Sequence, residues 1–360
     1  MNKGIQIPFK IALFGSMLCA CLSCAKLAPP EPPLNLSDTT SHFLDWHFDY
    51  LGDGLGNEFL DVAVINDSSA YAVGSFYQND STGILDPILY NVAVWNGRAW
   101  TPKRLYYHFG TDSSTGEISS VFAFNKDDVW FGFGNLVHWN GKSYESVQIP
   151  PALFPSRANR IWGTADNDLY VVGIGGRIVH FNGATWQLLQ TNTTLQVWDI
   201  WGAMDNSTHQ QQILAVASSD ASVRVISIAG NAATTVTDSG LAPCVGLGVW
   251  FVPNQKYYVA GAGIAQKSDL GAARWSTFQP GVVTSYASDF VRGRASNDIF
   301  VGGSYMELVH FNGQSWYNYR TEIGSTDGVF ASIGFAKNIV VVVGFAGSSA
   351  AAAIGRNVVR

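Results

Sequence analysis

Asp168-Leu169-Tyr170-Val171-Val172-Gly173, followed by His180-Phe181-Asn182-Gly183 and Trp186, returns almost unchanged as Asp298-Ile299-Phe300-Val301-Gly302-Gly303, His310-Phe311-Asn312-Gly313 and Trp316. A unit of about 40 residues copied along a chain is the mark of a repeat architecture, in which each unit buries its apolar face against its neighbours. Looser copies fill the rest. With the Tyr170 segment as marker they are Tyr71–Gly74, Trp130–Gly134, Tyr170–Gly173, Leu214–Ala217, Tyr258–Gly261, Phe300–Gly303 and Val341–Gly344, seven in all.

Each marker reads as a second strand. A third strand usually follows and ends in Asn-Gly, at Asn96-Gly97, Asn140-Gly141, Asn182-Gly183 and Asn312-Gly313. Asn-Gly between apolar strands is a strong hairpin signal, because both residues tolerate positive φ. A fourth strand then opens on an aromatic: Trp100, Tyr144, Trp186, Trp275 or Trp316. No stretch keeps a helical period, and short apolar runs broken by Gly, Asn and Asp dominate, so the chain is all-β. Four short antiparallel strands in seven copies predict a seven-bladed β-propeller over residues 43–360. The last unit lacks its aromatic fourth strand, whereas Phe43-Leu44-Asp45-Trp46-His47-Phe48 stands alone before the first. Pairing that N-terminal strand with the C-terminal ones closes the ring. The competing arrangement is six full blades and a fragment, with Trp46 in the linker.

The phrase Asp-aromatic-x-Val-Gly…His-aromatic-Asn-Gly-x-x-Trp resembles the repeat of secreted bacterial propellers with BNR, sialidase-like or Kelch-like units. The resemblance spans nearly all of residues 43–360 and implies the fold, with no particular function. The chain departs from it in two ways. The Ser-x-Asp-x-Gly-x-Thr-Trp box of sialidases is missing, and the fourth and fifth units (197–276) have lost the Asn-Gly turn.

Residues 1–24 read as a targeting segment. Lys3 and Lys10 precede an apolar run, Ile11 to Leu18, that is too short to span a bilayer. Leu18-Cys19-Ala20-Cys21-Leu22-Ser23-Cys24 resembles a bacterial lipobox, with Cys21 or Cys24 as the acylated residue; an ordinary cleaved signal peptide is the alternative. Residues 25–42, beginning AKLAPPEPPLNLSDTT, form a Pro-rich tether. No Asp follows either cysteine, which by resemblance to enterobacterial sorting implies an outer-membrane lipoprotein of the cell envelope, held to the membrane by its lipid alone. Beyond this region only Cys244 remains, so neither an internal disulfide nor a Cys-rich metal site is expected.

The net charge of −6 supplies no basic stripe for phosphates and argues against nucleic acid as partner. No P-loop, nucleophile elbow or HExxH motif occurs. Neither a cofactor, a metal site nor a catalytic residue is expected. His138, His180 and His310 share one repeat slot and Asp128, Asp168 and Asp298 another. Such register-bound residues are expected to hydrogen-bond nearby backbone rather than to catalyse. The Gly52–Glu58 segment has the glycines of a calcium loop without its alternating oxygen ligands.

Aligned on the marker, one innermost-strand position holds Ala63, Phe122, Trp162, Trp201, Trp250, Arg292 and Ser332. Its neighbour holds Val62, Val121, Ile161, Ile200, Val249, Val291 and Ala331. Strand side chains alternate, so the aliphatic set should pack between blades. The mixed set offers Phe122, Trp162, Trp201, Trp250 and Arg292 as candidate ligand residues around a channel, able to stack on sugars or another planar ligand. Filling of the wedges between blades accounts for the same aromatics more simply. The loops joining second to third strands and fourth to first strands share one face and carry the irregular insertions. Tyr77, Tyr106, Tyr107, Arg157, Arg294, Tyr305 and Glu307 are the candidate interaction residues there. The expected role is a monomeric, non-catalytic binding or scaffolding module whose partner is an envelope protein or a glycan. A glycan-binding or glycan-hydrolysing propeller is the alternative.

Overall fold

The computed structural model describes residues 39–357 apart from 110–111, 243–245 and 325–326. The targeting segment, both candidate lipidation cysteines, most of the tether and Cys244 lie outside the described residues.

Seven four-stranded antiparallel sheets follow one another along the chain. Blades one to six span residues 58–103, 120–147, 160–188, 196–236, 248–278 and 288–318. Blade seven takes three strands from 328–357 and its outermost strand, Leu44–Leu51, from the other end of the chain. That strand pairs antiparallel with Ser349–Asn357 in an unbroken register from Leu44 opposite Asn357 to Leu51 opposite Ala350. The ring is therefore closed by the N-terminal strand, which removes the open edge that unpaired backbone groups would present.

The core is divided rather than central. Seven separate apolar clusters each lie between two neighbouring blades, the one joining blade seven to blade one included. The expected aliphatic set occupies these interfaces in six blades. In blade seven the slot belongs to Ile333, which pairs with Val342, so the sequence alignment there is off by two residues. Ser332 moves accordingly, and Gly334, opposite Val341, takes the position matched to Ala63.

The repeat phrase has a physical reason that differs in detail from the expectation. The conserved-slot Asp and His bond each other across the second and third strands: Asp128 with His138 at 2.8 Å, Asp168 with His180 at 2.7 Å and Asp298 with His310 at 3.0 Å. Each imidazole also stacks on the marker aromatic opposite it, Trp130, Tyr170 or Phe300, with centroids 4.0, 4.2 and 4.2 Å apart. The Asn-Gly turn is a four-residue loop, as between Trp95 and Trp100. Asn96 Oδ1 accepts the Arg98 and Ala99 amides, both at 3.0 Å, while Gly97 supplies φ of 94°. Asn140, Asn182 and Asn312 repeat the arrangement.

Candidate functional site

The innermost strands run side by side around the axis, so a residue's slot in its strand sets its depth in the channel. Four of these strands carry an extra residue in their first half, where the ladder register shifts: Leu60, Trp198, Asp289 and Ala331 in blades one, four, six and seven. Such bulges re-aim the side chains that follow. Asp61, Asp199 and Ser332 follow such bulges directly, while Arg160 and Ser120 reach the channel from strands with no bulge ahead of them.

Asp61, Ser120, Arg160, Asp199 and Ser332 share one slot, two residues ahead of the aromatic one. Asp61 Oδ1 accepts from Ser332 Oγ at 2.7 Å, from the Val62 amide at 2.9 Å and from Arg160 Nη1; Oδ2 accepts from the Val121 amide at 2.9 Å and Ser120 Oγ at 3.2 Å. Asp199 is gripped by Arg292 through two parallel bonds, Nη2 to Oδ1 at 2.7 Å and Nη1 to Oδ2 at 2.8 Å, and takes the Val249 amide at 2.8 Å. Arg160 Nε lies 3.3 Å from Asp199 Oδ1. Both carboxylates are buried, at 2% and 1% exposure. Burial pushes the Asp199 carboxyl upward, but Arg292, Arg160 and the Val249 amide outweigh it, and the group titrates below the usual aspartate range. Two anions and two cations thus balance across four blades, which is the condition for keeping charges out of water.

This slot was legible in principle. Asp61, Ser120, Arg160 and Asp199 stand two residues before Ala63, Phe122, Trp162 and Trp201 in four successive units. A comparison restricted to one position and its neighbour passes over it.

The sequence-predicted ligand residues are only partly brought together. Phe122, Trp162, Trp201 and Arg292 line a cavity of about 220 Å³ on the axis, together with Ala63, Arg160, Gly334 and Phe335. Trp250 does not line it; it is buried between blades five and six beside Gly293, where a Cβ would come within 2.8 Å of the indole. Trp162 is likewise a wedge, 6% exposed, its ring filling the space a Cβ on Gly202 of the next blade would need, 2.3 Å away. The guanidinium of Arg292 lies over the Trp201 ring, 5.0 Å from its centroid. Wedge-filling therefore explains Trp162 and Trp250, and a continuous stacking platform is not formed. From the charged groups the cavity runs toward the face of the first-to-second-strand turns, its last lining residues being Val64, Ala123 and Phe335.

The opposite, insert-bearing face has a different character. Of the twelve strongly exposed large hydrophobic residues among the described residues, eight lie on it: Leu55, Ile84, Leu85, Ile88, Tyr106, Ile174, Val282 and Tyr305. Five of them come from the loops around blade one. There Asp53 joins the insert through its amide to the Tyr77 carbonyl at 2.7 Å and through Oδ2 from the Asn79 amide at 2.8 Å. Tyr77 and Tyr107 are half-buried, Tyr107 against Phe133 with centroids 5.2 Å apart. Arg157 is exposed and pairs with Glu117. Tyr305 packs against Tyr286 with ring centroids 4.3 Å apart and planes tilted by 40°, and Arg320 lies 5.1 Å from the Tyr286 ring.

Two interaction candidates are not presented on that face. Arg294 belongs to the face of the tight turns, where Nε bonds Asp298 at 2.5 Å and Nη1 reaches the Ala336 carbonyl. Glu307 is on the expected side but only 2% exposed, because its carboxylate pins the Ser285 and Tyr286 amides and the Asn318 side chain. Sequence position gave its loop; only the structure shows that its lone pairs are turned inward. Among the described residues no cluster of three or more His, Cys, Asp and Glu side chains could hold a metal ion.

Closed ring, divided core and two unlike faces define the chain as a seven-bladed β-propeller. Among solved structures it is similar to YCF48 bound to D1 peptide, with a TM-score of 0.63 and 17% identity over 90% of this chain and 100% of that one. It is also similar to the WD40 β-propeller domain of Doa1 (TM-score 0.63, 14% identity, 88% and 98% covered) and to YCF48 from Cyanidioschyzon merolae (0.60, 12%, 86% and 98%). At these identities the likeness shows the fold alone. No family model matches the chain and no curated protein matches it in sequence.

Proposed function

We propose that the protein is a non-catalytic binding scaffold, anchored in the bacterial cell envelope through Cys21 or Cys24, that takes an extended segment of a protein partner on its insert-bearing face. The observation that carries this reading is the gathering of exposed apolar residues there, above all Leu55, Ile84, Leu85, Ile88 and Tyr106 around blade one. Large exposed apolar patches on soluble domains mark interaction surfaces. The peptide seated on the similar propeller YCF48 makes an extended segment the partner to test. The glycan alternative draws no support from the channel. Asp61 and Asp199 are occupied by arginines and amides, and neither is free to serve as the acid or base of a hydrolase.

The test is photo-crosslinking in the full chain, with a benzophenone amino acid at position 85 or 305 on the insert face and at 204 on the other. A discrete adduct from 85 and 305 but not from 204, reduced by Tyr106→Asp at unchanged melting temperature, supports the reading. Adducts from 204 alone, or none from any position, would sink it. Fatty-acid labelling of the Cys21→Ser and Cys24→Ser chains tests the anchor separately: one substitution should abolish the label.

A further inference from the structure

Arg160 is the anomaly of the channel. A guanidinium has five N–H donors, and among the described residues Arg160 makes one hydrogen bond, to Asp61. Its Nε is buried 3.3 Å from Asp199 Oδ1 and out of reach of the cavity, whereas Nη2 has no partner among the described residues and is not buried. Its side chain is 15% exposed and lines the cavity. Arg292 differs: its Nη atoms reach both oxygens of Asp199 and the Val249 and Val291 carbonyls. Arg160 therefore turns free, accessible donors toward the cavity.

The acceptors show the reverse. Asp61 takes five hydrogen bonds and Asp199 three. A carboxylate has about four lone-pair sites, so little capacity is left for a donor from outside. A sugar hydroxyl could accept from Arg160, but its own proton finds few acceptors here, whereas a carbonyl oxygen accepts without bringing a donor to satisfy. The charges add a second constraint. Asp61 and Asp199 balance Arg160 and Arg292, so an anion entering the cavity meets two carboxylates and a cation meets two guanidiniums. The remaining wall is apolar: Phe122, Trp162, Trp201 and Phe335. The volume, about 220 Å³, exceeds the roughly 150 Å³ of an apolar cavity known to take benzene.

We propose that the axial cavity binds a small, flat, uncharged molecule bearing a carbonyl oxygen, with that oxygen on the idle donors of Arg160 and the ring against Phe122 and Trp201. The site opens on the face opposite the apolar inserts, so it stands independently of the protein-binding reading.

The probes are benzamide, benzoate and benzylamine, which share a ring and differ in charge and acceptor, titrated into the full chain with melting temperature and ligand-detected NMR as readouts. A native-state ligand raises the melting temperature by mass action. Benzamide should bind saturably and more tightly than either charged probe. Ala63→Phe, which fills the cavity without touching the charges, should abolish binding, and Arg160→Lys, which keeps the charge but not the fork, should weaken it about tenfold. Should the Lys variant fail to fold, Ala63→Phe still decides. No saturable benzamide binding at tens of millimolar, equal binding by Ala63→Phe, or benzoate or benzylamine binding at least as tightly would each overturn the proposal.

Discussion

Asp199 and Asp289 come from inner strands of the same ring and are shifted in opposite directions. Asp199 has two arginines beside it and stays ionised below the usual aspartate range despite its burial. Asp289, the extra residue in the bulge of blade six, has desolvation as its one cause of shift and is pushed up to about 7. The consequences for stability have opposite signs. A carboxyl raised in the folded state favours the protonated form there, so its contribution is whole below the unfolded value of about 3.9 and is lost as pH climbs through about 7. Asp289→Asn, which mimics the protonated group at every pH, should melt higher than the parent at about pH 8 and together with it near pH 4. Thermal melts of the two chains across that range check this. A constant difference between them would mean that Asp289 does not titrate in that window.

Among the elements, Leu44–Leu51 has the most to hold. It covers the edge of Ser349–Asn357, and Trp46 packs on Gly355 and on Tyr319, ring centroids 5.2 Å apart. Tyr319 in turn bonds the His42 carbonyl through its hydroxyl at 2.7 Å. A chain beginning at residue 52 would expose that edge, and exposed edges pair with other chains. It should associate in proportion to concentration in light scattering, and a peptide of residues 43–51 added in trans should restore the monomer, since strand addition is a general mode of peptide recognition. A shortened chain that stays monomeric at undiminished melting temperature would show that blade seven needs no fourth strand. This element was legible in the sequence because Trp46 repeats the aromatic that opens other fourth strands, and the last unit lacks one. Blade seven's inner strand was not. It lacks the register shift that blades one, two, three and six carry near the end of the inner strand, so its slots stand closer to the marker and an alignment by spacing misplaces them. The channel's charges were not hidden in this way, since Asp61–Ala63 and Asp199–Trp201 run in unbroken register beyond their bulges; they lie one step outside the pair of positions that the aromatic slot singles out.

At the scale of the whole molecule, the ring makes chain order and spatial order separable. Leu44 and Asn357 end the same ladder as direct partners. The link missing between them is the one the chain makes elsewhere with four residues, as Asn96 to Ala99 make it in blade one. Joining 357 to 44 through Asn-Gly-Arg-Ala, and opening the chain instead between the exposed Thr82 and Gly83 of the first insert, leaves all seven interfaces between blades intact. If those interfaces carry the stability, as the seven separate clusters require, the permuted chain should keep its circular dichroism. It should also melt in one transition within roughly 2–4 °C of the parent, since closing one short loop and opening another changes little more than about 1 kcal/mol. Loss of the fold would place the stability in the order of synthesis, with the N-terminal strand required to arrive unattached. Two separated transitions would mean that closing the ring does not couple the blades. A single transition at nearly the parent temperature would make the ring itself the cooperative unit, with either face open to change while the other keeps its geometry.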